Sequence, residues 1–317
     1  MELAKLDNII KSSKNILLTS HVNPDGDTLG SMCGLYALIE ANYKKRCDML
    51  AVSKISKMYE HIPNVNLVRQ LADYDLSREY DLVINLDVAA IDRICDGQTL
   101  YHKAKHTVNI DHHKTNIRYA EQNYVEDDAS SAAEVVYGIA KDLNWKINLD
   151  AANSLYVGIL TDTGSFRFDN TTSRCLEFVS EMVNLGVKPS EQYKYVYESN
   201  PKNMVLFQAY CLNKAVFLDN DKIAYTTVYK KDMEKFSAEE DYTEGLTEKL
   251  RAIASTQIAF VAKEMNNGWT KISMRSKNRD ISSVCEKFDG GGHTLAAGCT
   301  IKCGIDESVK KILDTIQ

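Results

Sequence analysis

Residues 18–31 read LTSHVNPDGDTLGS. An apolar run over residues 15–20 leads into His21, and a turn built on Pro24 and Gly26 then carries Asp25 and Asp27. The run has the length and composition of a buried strand. Residues 28–42 follow with helical spacing, and Asp27 is placed to cap their start. Strand, tight turn and helix in succession make the first half of a βαβ unit, which points to a parallel sheet. The same arrangement sets one imidazole and two carboxylates on a short loop at the C-terminal end of a strand, where open parallel sheets bind ligands. Taken alone, Asp25-Gly26-Asp27 reads equally well as a plain turn and helix cap.

The pattern recurs downstream. Residues 80–86 (YDLVINL) read as a strand that ends at Asp87, and residues 106–110 (HTVNI) as a strand that ends at Asp111-His112-His113. Residues 47–53 supply another strand, and residues 130–143, 151–160 and 173–185 read as helices, the last closed by Gly186 as a C-cap. Asp162 sits in LTDTGSFRF, just after the second of these helices, where a helix terminus or a turn is the alternative reading. Residues 1–186 are therefore expected to form a mostly parallel sheet flanked by helices. Residues 187–213, with Pro189 and Pro201 among many Tyr, Lys and Glu, read as a linker that becomes a helix. Residues 214–317 read as a smaller α/β domain with a mixed sheet. It would hold hairpins turning at Asp219-Asn220-Asp221-Lys222 and Asn266-Asn267-Gly268, and helices near residues 244–254, 280–288 and 306–316.

An Asp at one strand end is commonly a turn former. Three strand ends that all carry Asp or His are not explained by turns, and carboxylates gathered without Lys or Arg repel one another unless cations hold them. Carboxylate oxygen mixed with imidazole nitrogen suits Mn²⁺, Mg²⁺ or Zn²⁺.

Composition narrows the partners. The formal net charge is −6, which argues against long duplex nucleic acid, whose binders need a broad basic surface. A small phosphate ligand remains compatible, because bound divalent ions invert the local charge of an acidic site. The eight cysteines form no paired CxxC units; even Cys299 and Cys303 lack a second pair nearby, so free thiols in a reducing cytosol are expected rather than zinc. The N-terminal residues lack the apolar core of a secretory signal, and no apolar run approaches the ~20 residues that span a bilayer. The expectation is a soluble, cytoplasmic protein with no membrane partner. Its oligomeric state is not legible, and a homodimer is compatible.

With His21-Val-Asn-Pro-Asp25-Gly-Asp27, Asp87, Asp111-His112-His113 and Asp162 in that order, the chain resembles the DHH phosphoesterase family. Further on, Arg275-Ser276-Lys277 precedes Gly290-Gly291-Gly292-His293-Thr294-Leu295-Ala296-Ala297-Gly298, which resembles the DHH-associated C-terminal domain with its glycine-rich substrate loop. The layout is similar to that of short bacterial members that act as nano-RNases and as phosphatases of adenosine 3′,5′-bisphosphate.

The resemblance implies two divalent cations, Mn²⁺ first, with Mg²⁺ or another divalent ion as alternatives. His21, Asp25 and Asp87 would hold one; Asp27, Asp87, His112 and Asp162 would hold the other, with Asp87 bridging. His113 would face the substrate phosphate as donor or general acid, or else orient a neighbour, and Asp111 would orient the His pair. Three consecutive glycines leave backbone N–H groups open to an anion, so Gly290, Gly291, Gly292 and His293, with Arg275 and Lys277, are the expected phosphate clamp; a loose loop is the alternative. Arg167 is a further candidate contact or a surface salt bridge. Ser130 and Ser131, opening a helix, are candidate phosphate donors or a simple N-cap. The expected substrates are short RNA oligonucleotides or small nucleotides, bound in a cleft that domain motion opens and closes. The competing readings are another phosphohydrolase of the family, a single-strand exonuclease or a pyrophosphatase-like enzyme, and a non-catalytic nucleotide-binding module, the last disfavoured by the complete ligand set.

Overall fold

The computed structural model describes residues 2–316. The chain divides into two compact units, the first running to Ser199 and the second starting at Asn200.

The first unit runs α1 (Glu2–Ser12), β1 (Ile16–Thr19), α2 (Gly26–Tyr43), β2 (Asp48–Ala51), β3 (Val68–Gln70), β4 (Leu82–Leu86), α3 (Gln98–His102), β5 (His106–Asp111), β6 (Gln122–Val125), α4 (Ala132–Asp142), α5 (Leu149–Asp162), α6 (Ser173–Asn184) and α7 (Pro189–Tyr197). All six strands pair in parallel, in the order β3-β2-β1-β4-β5-β6. Strands β1 and β4 are central and apolar because both faces of the sheet are covered. The strand order reverses between β1 and β4, which opens a crevice at their C-terminal ends. His21 follows β1 and Asp87 follows β4 at that place.

Helix α2 is buried along most of its length, and glycines decide how closely it packs. A Cβ on Gly30 would sit 2.5 Å from the Ser154 carbonyl oxygen and 2.8 Å from the Gly158 nitrogen of α5. Backbone therefore meets backbone along this contact, and the N-terminal turn of α2 is pinned beside α5.

The second unit runs α8 (Lys202–Asn213), β7 (Val216–Leu218), β8 (Ile223–Val228), α9 (Lys230–Phe236), α10 (Leu246–Arg251), β9 (Ile258–Glu264), β10 (Thr270–Ser276), α11 (Ser282–Glu286), β11 (Gly291–His293), β12 (Ala296–Ile301) and α12 (Ile305–Ile316). Its sheet is mixed, in the order β11-β12-β10-β9-β8-β7, with only β8 and β9 parallel. The α/β class, the parallel first sheet and the mixed second sheet agree with the sequence reading.

Two local expectations need correction. The linker expected at the start of residues 187–213 is itself a helix, since Pro189 opens α7, where its missing N–H costs nothing; the helix expected to follow is α8, which begins after Pro201. The cap of α2 is Asp25, which accepts from the Asp27 and Thr28 amides, so Asp27 lies inside the first turn. Gly291–His293 is an edge strand paired to β12, which removes the alternative of a loose loop there. No helix among the described residues is long and apolar enough to cross a membrane.

Candidate metal centre

The loop after β1 positions the first group of donors. Nδ1 of His21 lies 2.7 Å from the Val22 carbonyl, which fixes the ring and leaves Nε2 to face inward. Thr28, one turn into α2, sets its hydroxyl 2.6 Å from that Nε2, 3.1 Å from Asp25 Oδ1 and 2.7 Å from Asp87 Oδ2. His21, Asp25 and Asp87 each present one ligand atom within 4.8 Å of the others. The sequence reading did not single out Thr28.

Asp87 stands just past β4 in the left-handed region, at φ 59°. Asp tolerates this conformation better than most residues. Its amide donates to the Ile110 carbonyl of β5 at 2.9 Å, so the turn that aims the carboxylate is tied to the neighbouring strand. Asp87 is 4% exposed, and its Oδ1 is buried without a hydrogen-bond partner.

Strand β5 delivers the His pair. Asp111 is fully buried; it accepts from Asn116 at 2.5 Å and lies 2.8 Å from Nδ1 of His113. Asp111 thereby orients His113, whose Nδ1 is also 3.4 Å from Asp87 Oδ1. His112 approaches the same Asp87 oxygen. Its Nε2 lies 3.5 Å from Asp162 Oδ2, 3.6 Å from Asp87 Oδ1 and 3.8 Å from Asp27 Oδ2. Asp27, His112 and Asp162 form a second set within 4.8 Å, and Asp87, Asp111, His112 and His113 a third.

Asp162 is the last residue of α5 rather than a residue beyond it. A carboxylate there faces the negative end of the helix dipole, so it gains from a nearby cation. Asp27 sits oppositely: its two oxygens accept from the Ala132 and Ala133 amides at the positive end of α4.

The charges confirm a site under electrostatic tension. Burial, then the charges of Asp87 and Asp162, raises the Asp27 carboxyl well above the ordinary range; burial, then Asp25 and Asp87, does the same to Asp162. Burial opposes protonation of His21, but its contact with Asp87 outweighs this and raises it to about 9. For His113, Asp111 and Asp87 likewise overcome burial and raise it to about 10. Protons on imidazoles thus balance the acidic cluster when no cation does. The residues fit a divalent-ion centre on three counts: mixed carboxylate and imidazole donors, an orphaned buried Asp87 oxygen, and, among the described residues, no Lys or Arg ion-paired to these carboxylates.

Other candidates have different surroundings. Ser131 is the N-cap of α4 and accepts from the Glu134 amide at 3.1 Å; it and Ser130 are fully buried. Arg167 is exposed and its Nε donates to the Gly164 carbonyl at 2.6 Å. In the second unit, Arg275 of β10 registers with Ala296 of β12, and Ala296 with His293 of β11. Arg275 and His293 therefore project from one face of the sheet, two strands or roughly 10 Å apart. Arg275 donates to Glu248 at 2.7 Å. Lys277 instead donates to the Ile253 and Ala254 carbonyls just beyond α10. Gly290 is needed for close approach, since a Cβ there would lie 2.3 Å from the Gly298 carbonyl oxygen and 2.4 Å from Cys299 Cβ.

Fold and centre together define a two-unit α/β protein with an acidic, imidazole-bearing site at the switch point of a parallel sheet. Residues 15–159 match the DHH family, N-terminal domain, and residues 220–317 match the DHHA1 domain. The chain belongs to the DHH family, and it is a hydrolase of phosphate esters. It is 31% identical to the bifunctional oligoribonuclease and PAP phosphatase NrnA of Bacillus subtilis, over 90% of this chain and 89% of that one. It is 30% identical to the probable bifunctional oligoribonuclease and PAP phosphatase NrnA of Streptococcus mutans, over 91% and 90%. The crystal structure of an exopolyphosphatase-related protein from Bacteroides fragilis superposes with a TM-score of 0.93 at 22% identity, over 99% of this chain and 95% of that one. That last likeness is one of fold.

Proposed function

We propose that the protein hydrolyses short oligoribonucleotides, including linear dinucleotides such as pApA and pGpG, to mononucleotides, and adenosine 3′,5′-bisphosphate to AMP, in the cytoplasm and with two Mn²⁺ ions. The observation that carries this reading is Asp87. Its two oxygens face two donor groups, His21 with Asp25 on one side and His112 on the other. The names of the Bacillus and Streptococcus relatives supply the substrate classes.

His21, Asp25 and Asp87 would hold one ion, and Asp27, Asp87, His112 and Asp162 the other. When bound, the ions would neutralise phosphoryl charge and acidify the attacking water. His113, held by Asp111, is assigned to the substrate phosphate as hydrogen-bond donor or general acid. Arg275 and His293 are assigned to recognition, because they share a face of the second sheet and Arg offers a bidentate fork to phosphate. Gly290, Gly291 and Gly292 are assigned to the same anion site. Lys277 is assigned there less directly, since it also holds the segment after α10.

The test is a panel assay of the purified chain with Mn²⁺ on two- to five-residue RNAs, pApA, pGpG, adenosine 3′,5′-bisphosphate and inorganic pyrophosphate. Release of AMP or other mononucleotides is expected. Cleavage of pyrophosphate alone would overturn the substrate reading.

A further inference from the structure

The Asp27 carboxylate is held by two backbone amides 105 and 106 residues away in sequence, Ala132 at 2.7 Å and Ala133 at 2.9 Å. These are the first two amides of α4, which a helix cannot satisfy by itself. What fixes that turn is Glu134. Its amide donates to the Ser131 hydroxyl at 3.1 Å, and its Oε2 reaches back to accept from the Ser130 amide at 2.7 Å. The Glu134 side chain is 1% exposed. A buried carboxylate is costly unless paired, and Arg174 of α6 supplies the partner: its Nε donates to Glu134 Oε1 at 2.8 Å, while its other arm reaches Glu126 at 2.5 Å. Asn170 adds a brace, donating to the Ser130 carbonyl at 2.9 Å and to the Asp162 carbonyl at 3.2 Å.

A serine cap alone closes a helix start. The pairing of the buried Glu134 carboxylate with Arg174 goes further, because it locks the turn whose amides aim Asp27 at His112 and Asp162. We propose that Glu134 and Arg174 are positioning residues for the hydrolysis: through the first turn of α4 they fix the orientation of the Asp27 carboxylate, and so the affinity of the Asp27–His112–Asp162 set for a divalent cation. Neither residue touches the reacting groups. The inference rests on the metal reading of the site given above.

The experiment is Mn²⁺ titration of the full chain by calorimetry, with the electron paramagnetic resonance spectrum of the bound ion, for wild type, Glu134→Ala and Arg174→Met. Thermal melts in excess chelator report folding separately. Both variants should bind Mn²⁺ roughly 10–100-fold more weakly than wild type, the range typical for groups that orient metal ligands, with an altered hyperfine pattern. Arg174 lies at the surface edge of the pair, 39% exposed, so Arg174→Met remains informative if Glu134→Ala does not fold. Wild-type Mn²⁺ affinity and spectrum in Arg174→Met would overturn the inference, even if its chelated melt were lower. A wild-type chain that takes up no Mn²⁺ would overturn the metal reading itself.

Discussion

Nε2 of His112 lies 3.6 Å from Oδ1 of Asp87, a buried oxygen that accepts no hydrogen bond. The other oxygen of the same carboxylate accepts from Thr28 and stands 3.3 Å from His21. One side chain thus joins donors brought by three different strand ends. Asp87→Ala removes that junction while leaving β4 intact. Its hydrolytic rate should fall by roughly 10³-fold or more, a barrier increase of about 4 kcal/mol. Comparing kcat of the two proteins at saturating Mn²⁺ checks this, and a loss under tenfold would speak against the joining role.

Cation binding should show in stability. At a hundredfold excess over Kd, an ion that binds only the folded form adds about 2.7 kcal/mol, or roughly 5–10 °C for a unit of this size. Differential scanning calorimetry with Mn²⁺ or with chelator should shift the transition of the first unit. The second unit, which holds none of the donor sets, should melt unchanged.

Gly158 of α5 has no room for a side chain. A Cβ there would lie 2.5 Å from Ala133 Cβ and 2.9 Å from Asp27 Oδ1. Gly158→Ala should cost roughly 1–3 kcal/mol through overpacking and weaken Mn²⁺ binding at the same time. Denaturant titration and calorimetry of one preparation read both effects.

Arg275→Ala should raise KM about tenfold, roughly 1.4 kcal/mol of uniform binding, with bound manganese unchanged. Elemental analysis beside steady-state kinetics separates the outcomes, and loss of metal would mean that Arg275 does not serve recognition.

Asp232 probes the second unit through pH. It is 3% exposed and accepts from Lys214, Tyr210 and the Tyr229 amide. Burial raises its carboxyl, but Lys214 and the Tyr229 amide outweigh this and hold it below the ordinary range. A carboxyl lowered by folding stabilises the protein above its unfolded value, and that contribution is lost as pH falls through the folded one. Asp232→Asn should therefore destabilise the unit by roughly 2 kcal/mol at pH 7, and the difference should shrink below pH 4, as urea titrations across that window would record.

Much of the fold was legible because the central strands are apolar runs. Residues 15–20, 80–86 and 106–110 overlap β1, β4 and β5, which are covered on both faces. The edges were not. β3 is Val-Arg-Gln and β6 is Gln-Asn-Tyr-Val, neither fully buried, so neither carries an apolar signal. The donor set was legible because its residues sit at strand and helix ends. Thr28 was not, since a hydroxyl in a first helical turn looks like any other. Glu134 did carry a signal: Ser131-Ala-Ala-Glu134 has the spacing of a capping box. Its link to Asp27 depends on α4 meeting α2, and Arg174 joins only because α6 lies beside α4; neither follows from spacing along the chain.

The most direct test is an anomalous difference map from crystals grown with Mn²⁺, recorded at the manganese edge. Two peaks are expected, one among His21, Asp25 and Asp87 and one among Asp27, Asp87, His112 and Asp162. A map with no peak touching Asp87 would contradict the account.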